Sequence, residues 1–181
     1  GVIVFTEKKG LYLAIDIGSY PTRAPSEPPT SPVIQGPREG FVEDIKTNIT
    51  LIRRRLYSKD LVFKETKVGR YSNTQVVIAY LDGIADKQVI KDIEKRLKNI
   101  DIDGVVDSYY ILSFLENKPD SLFKQVGNTE KPDIVAGKML EGRVAIIVDN
   151  SPIVLTLHFT LIEEMQSSND YYTNHHYASL V

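Results

Sequence analysis

The chain opens with two short apolar runs, VIVFT at 2–6 and LYLAIDI at 11–17, separated by Glu7, Lys8, Lys9 and Gly10. Short β-prone runs around a glycine-containing turn predict a β-hairpin. Six of the nine prolines then fall between Pro21 and Pro37. Proline fixes φ and removes a backbone donor, so 18–35 is predicted to be an extended linker and the clearest boundary in the chain. Beyond it Pro37 suits a helix start. Phe41, Ile45, Ile49, Ile52 and Leu56 recur at spacings of four, four, three and four, which is one apolar face of a helix over 41–57. Glu39, Glu43 and Asp44 stand at its front and Arg53, Arg54 and Arg55 at its back, in agreement with the helix dipole.

The pattern then changes period. LVFKETKV at 61–68 reads as a strand, 69–73 as a turn and TQVVIAYL at 74–81 as a strongly β-prone strand. Residues 86–99 form an amphipathic helix pattern with Val89, Ile90, Ile93 and Leu97 inside. A short strand at 104–106, a short helix near 109–116 and a long loop at 117–132 follow. Asp133, after Pro132, is placed to cap a helix reaching Leu140. Two further strands, 143–149 and 153–159, are joined by Asn150-Ser151-Pro152, and the polar, Tyr- and His-rich tail runs over 160–181. The expected fold is therefore α/β: a small mixed β-sheet of strands near 61–68, 74–81, 143–149 and 153–159, with helices 41–57 and 86–99 packed on it. GVIVFTEKKGLYLAIDI (1–17) and GRVAIIVDNSPIVLTLHF (142–159) are both glycine-led hairpins, which suggests two related units.

Composition narrows the chemistry. Hydrophobic residues are 42% of the 181 and charged residues 25%, an ordinary globular balance able to bury a core. There is no cysteine, which excludes disulfides and thiolate chemistry. A net charge of −2 gives no global attraction to nucleic acid. The longest aliphatic run, Val144 to Val148, is far too short to cross a bilayer, and the N-terminal sequence has no signal-peptide pattern.

No catalytic constellation is present: GxSxG, SxxK and Walker-A patterns are all missing. AIDIGS at 14–19 resembles a phosphate loop of actin-like kinases, but it leads into the proline-rich linker instead of a second strand and reads as a strand-end turn. DIDG at 101–104 lacks the glycine and glutamate spacing of a calcium loop, so Asp101, Asp103 and Asp107 read as turn and cap residues. His158, His175 and His176 do not form a metal-ligand pattern, and no metal or cofactor is expected. The sequon Asn48-Ile49-Thr50 falls inside the predicted helix. In GPREGF (36–41) the nucleotide-loop spacing is absent. On a helical wheel Arg54 opposes the Ile45/Ile52 face while Arg53 and Arg55 flank it, so the three arginines do not make one nucleic-acid stripe. Two readings of them stay open: a solvated helix end, or ion pairing to another subunit or domain through arginine forks.

GPREGF at 36–41 and NITLIRRRL at 48–56 resemble the A subunit of the GerA family of spore germinant receptors. The likeness continues in order: Gly69, Ser72 and Thr74 before VVIAYLDGIAD, then KRLKNIDIDGVVDS, KPD at 131–133, LEGRVAIIVDNSP at 140–152 and NDYY at 169–172. It departs where the family commonly has Arg, at Lys131, and Pro, near His158. The resemblance implies a non-catalytic soluble region facing the spore core, followed by a multi-pass segment of the spore inner membrane beyond residue 181. It implies as partners other copies of the A subunit, a transporter-like B subunit and a C-subunit lipoprotein. It also implies two similar α/β subdomains. Residues 1–17 would finish the upstream one, 18–35 link them, 36–160 form the downstream one and 161–181 lie next to the membrane. On this reading Arg38, Glu39, Arg53, Arg54 and Arg55 make subunit or subdomain contacts that carry the germinant signal. The alternative is a sensor that binds a small-molecule germinant itself. A lone two-stranded hairpin is unstable in water, so residues 2–17 are expected to pack on the downstream unit or to pair between chains.

Overall fold

A computed structural model describes residues 2–5, 12–15, 23–28, 36–116 and 126–157. The predicted hairpin forms: β1 (Val2–Phe5) pairs antiparallel with β2 (Tyr12–Ile15) as a separate two-stranded sheet. What its side chains pack against lies outside the described residues. So do the 161–181 tail, the three histidines, residues 117–125 and the linker positions 18–22 and 29–35.

The main sheet has five strands. β3 (Leu61–Val68) and β4 (Thr74–Leu81) form a hairpin in register from Leu61↔Leu81 to Val68↔Thr74. β6 (Val144–Val148) pairs on the other edge of β4, then β7 (Val154–Leu157), then β5 (Val126–Thr129), in the order β3-β4-β6-β7-β5. The expected class, helices on a small sheet, is the one observed. Every pairing is antiparallel, where a mixed sheet was expected. Tight turns dictate this for β3–β4 and β6–β7, since such turns can only return the chain antiparallel. β4–β6 and β5–β7 pair antiparallel across longer connections that run through helices.

Helices cover both faces. Val76, Ile78 and Tyr80 of β4, with Val144, Ile146 and Val148 of β6, pack against Ile90, Ile93 and Leu97 of α2 (Lys87–Lys98) and Ile111 and Leu115 of α3 (Ser108–Leu115). The alternate residues Val77, Ala79, Leu81, Ala145 and Ile147 pack against Ile45, Leu51 and Ile52 of α1 (Ile45–Arg53) and Val135 and Met139 of α4 (Pro132–Leu140). Burial on both faces is why β4 and β6 read as nearly continuous apolar runs instead of alternating ones. Asp86 and Asp107 cap α2 and α3 by accepting from the Gln88 and Tyr109 amides.

Four local expectations are corrected. The helix expected over 41–57 spans Ile45–Arg53, because Asp44 is its N-cap and residues 41–43 are not helical, with Phe41 and Val42 buried in the core. Its buried side is Ile45, Asn48, Leu51 and Ile52, with Ile49 only half-buried. The strand expected at 104–106 does not form. Val105 N–H donates to Ser72 Oγ at 3.0 Å and its carbonyl accepts from Thr74 Oγ1 at 2.7 Å, so hydroxyls replace a ladder. β5 lies inside the expected 117–132 loop, since VGNT carries little apolar signal of its own. Finally, Lys131 occupies the N-cap position of α4 and Asp133 falls within its first turn, because Pro132 already starts the helix.

The β3–β4 turn also fixes DIDG. Arg70 makes a bidentate pair with Asp101, both contacts 2.8 Å, and its Nη1 lies 3.5 Å from Asp103. The Arg70 bond holds the exposed Asp101 carboxyl below its ordinary value of 3.8. Gly69 has φ +92°, and a Cβ there would sit 2.3 Å from Ser72 Oγ and 3.3 Å from the Gly104 Cα. Gly69→Ala is therefore expected to lower unfolding free energy by about 2 kcal/mol, from backbone strain plus displacement of the Ser72 bonds. Chemical denaturation reads this directly, and a loss below about 0.5 kcal/mol would show that the turn accommodates alanine.

Candidate functional site

The stretch 36–44 runs as a strap across the ends of α1, α4 and β5. Phe41 is buried, and its N–H donates to the Glu130 carbonyl at 2.8 Å. Val42 follows, also buried, with its N–H bonded to Asn48 Oδ1 at 2.9 Å and its carbonyl accepting from Asn48 Nδ2. One buried amide side chain thus satisfies both polar groups of one buried peptide residue. The Asn150 amide donates to the Glu43 carbonyl at 2.9 Å, and Asp149 Oδ1 accepts from the Ile45 amide at 3.3 Å. These bonds tie the start of α1 to the β6–β7 turn. The fully buried Lys131 directs its ammonium to the Pro37 carbonyl at 3.4 Å.

Asp44 closes the strap by capping α1 through the Thr47 amide, with the Thr47 hydroxyl on the same carboxylate oxygen. Partial burial pushes its carboxyl up, but the Thr47 bonds outweigh this and hold it below 3.8. A carboxyl lowered on folding stabilises the fold above its unfolded value, and that contribution fades as pH falls through the lower folded value.

The five residues expected to make contacts fall in three settings. Glu39 gathers two arginines: Arg54 Nη1 donates to Oε1 at 3.0 Å and Arg55 Nη2 to Oε2 at 2.9 Å. Arg55 also donates to the Leu51 carbonyl at 2.9 Å, and its side chain is 17% exposed against 60% for Arg54. Arg53 instead lies over the Phe63 ring of β3, 4.9 Å from the centroid. Arg38 is 74% exposed, with Glu27 at 3.8 Å. The wheel expectation that the three arginines diverge is corrected. Arg54, the C-cap of α1, keeps helical dihedrals (φ −66°, ψ −21°); the two guanidinium arms converge because the strap returns Glu39 beside the end of the helix.

The linker joins this cluster. The Gly40 amide donates to the Ser26 carbonyl at 3.0 Å, and Pro28 is buried against Gly40. Arg23 reaches the Phe41 carbonyl at 3.4 Å and Glu43 at 3.5 Å. Asn48, Asp149 and Lys131 were missed as organisers of the strap. Only Asn48 had a sequence signal, a polar residue three positions from Ile45 and four from Ile52. Its burial and bonding leave the sequon with no accessible amide. Among the described residues there is no cluster of three or more potential metal ligands, and no helix is long and apolar enough to cross a membrane.

The family described as Bacillus/Clostridium GerA spore germination protein matches residues 1–181. The chain is 44% identical over 96% of its length to the uncharacterized membrane protein YfkQ of Bacillus subtilis, covering 33% of that protein. It is 42% identical over 91% of its length to spore germination protein A1 of Bacillus subtilis, covering 34% of it. It thus spans about a third of the curated relatives it matches. Among solved structures, the N-terminal domain of the A subunit of the Bacillus megaterium spore germinant receptor GerK3 is similar. The TM-score is 0.54 with 42% identity, covering 67% of this chain and 98% of that one. With a whole-length family match, relatives above 40% identity and a shared fold, the chain belongs to the GerA spore germination protein family.

Proposed function

We propose that this chain is the N-terminal region of a germinant-receptor A subunit, a non-catalytic module for subunit assembly and for passing the germinant signal to a membrane ion-release region. The observation that carries the reading is the likeness to the A-subunit N-terminal domain of GerK3, which extends over nearly all of that domain at 42% identity. The partners on this reading are other A-subunit copies, the transporter-like B subunit and the lipoprotein C subunit. The place is the spore inner membrane, with this region on the core side and the membrane segments after residue 181. The GPREGF strap and the end of α1 suit a relay. They tie the linker, the helix and the β6–β7 turn together, while Arg38 and Arg54 present exposed guanidinium groups to a neighbour.

The test is a receptor whose A subunit carries Arg38→Glu and Arg54→Glu. Spores with it are expected to lose germinant response or receptor assembly, while the purified chain keeps its melting temperature within about 2 °C, as exposed-site changes do. Normal assembly and response in that variant would overturn the contact role. The competing germinant-sensor reading has one feature in its favour, an open groove of about 290 Å3 between β3 and α2 bordered by Lys64, Glu65, Glu94 and Lys98. A germinant at a hundred times its dissociation constant would add about 2.7 kcal/mol of stability. The relay reading expects no thermal shift across amino acids, sugars and nucleosides.

A further inference from the structure

Residues 23–28, at the end of the proline-rich stretch nearest the hairpin, are not a free spacer. They lie on the strap through one short backbone bond, Gly40 to Ser26 at 3.0 Å, and through the Arg23 contacts to the Phe41 carbonyl and Glu43. Pro28 is buried there, and the fit is close enough to require glycine. A Cβ on Gly40 would stand 2.5 Å from Pro28 Cγ and 2.9 Å from the Ser26 carbonyl oxygen. Gly40 is flanked by the two residues that hold the domain on either side. Glu39 grips Arg54 and Arg55 just past α1, and Phe41 is buried and bonded to Glu130. Displacing the linker therefore moves the backbone that positions the Glu39 carboxylate.

We propose that residues 23–28 are a docked arm of this domain, coupled through Gly40 and Glu39 to the last turn of α1. Movement of whatever precedes residue 23 loosens the 54–56 turn. Its use in signalling rests on the receptor reading above, but the coupling itself is a property of the isolated chain. It can fail while the receptor role stands, and the reverse is also true.

The experiment is amide hydrogen exchange on the full 181-residue chain carrying Gly40→Ala. The Gly40 position donates to Ser26, while Arg54, Arg55 and Leu56 donate to the Thr50 and Ile52 carbonyls. Local opening is expected to raise exchange about tenfold at residue 40 and at 54–56, with β6 amides unchanged. Faster exchange at 40 alone would overturn the coupling, and no change at 40 would overturn the docking. If β6 amides also speed up, Pro28→Ala decides, because it removes the ring from Gly40 without adding an atom. The same local pattern is then expected, and unchanged exchange at 40 and 54–56 would sink the proposal.

Discussion

Asn48→Ala is expected to lower the unfolding free energy by about 3 kcal/mol, a drop of roughly 10 °C in melting temperature for a domain of this size. The side chain is fully buried and serves both the N–H and the carbonyl of Val42, itself fully buried. Alanine leaves two buried peptide groups without their partner, each costing about 1–3 kcal/mol, and removes packing volume beside Ile45 and Leu51. Asn48→Asp separates the two bonds. A carboxylate still accepts from the Val42 amide but repels its carbonyl, so aspartate is expected to be no better than alanine at neutral pH. Urea denaturation measures both. A loss under about 1 kcal/mol for alanine would mean that water enters and satisfies Val42, and the strap would not depend on this residue.

Glu39→Arg is expected to cost about 2 kcal/mol and to silence a receptor that uses this domain as a relay. It sets a third cation against Arg54 and the mostly buried Arg55, which keeps its bond to the Leu51 carbonyl. The exposed Arg54 half of the cluster contributes little by itself, so most of the loss comes from Arg55. The informative variant is the swap Glu39→Arg, Arg54→Glu, Arg55→Glu, which rebuilds the pairing with signs exchanged. If the cluster works inside the chain, the swap recovers at least half of the lost stability and with it the germinant response. Recovered stability with a silent receptor would show that a neighbouring subunit reads the arginines. No recovery of stability would show that geometry, and not charge pairing, governs this junction.

These two experiments bear on a site only half legible in the sequence. Arg38, Glu39 and the Arg53–Arg55 run were visible as charge at a helix boundary. Their grouping was not, because a wheel shows one helix alone and not the strap that returns Glu39 beside its end. Here Asp44 caps it late, the helix stops at Arg53, and two arginines turn back on a residue 15 and 16 positions earlier. Asn48 showed the same limit. A polar residue at helical spacing is ordinarily solvated, and only the return of Val42 across it makes it a core residue. β5 was lost because a four-residue edge strand containing Gly127 and Asn128 draws its stability from β7 instead of its own pattern.

By itself the sequence determined the elements whose signal is local. The β3–β4 hairpin, α2 with its Asp86 cap, and the β6 and β7 runs follow from period, turn residues and capping within a few positions. The ordered motifs also determined the family, since many short matches in sequence order are specific where each alone is not. Tertiary structure decided the rest. It put helices on both faces of an all-antiparallel sheet and replaced an expected strand at 104–106 with hydroxyl bonds from Ser72 and Thr74. It also laid residues 23–28 of the proline-rich stretch against Gly40. Each of these depends on groups far apart in the chain meeting across a packed surface, and no local propensity encodes which carbonyl, hydroxyl or ring will be there to meet them.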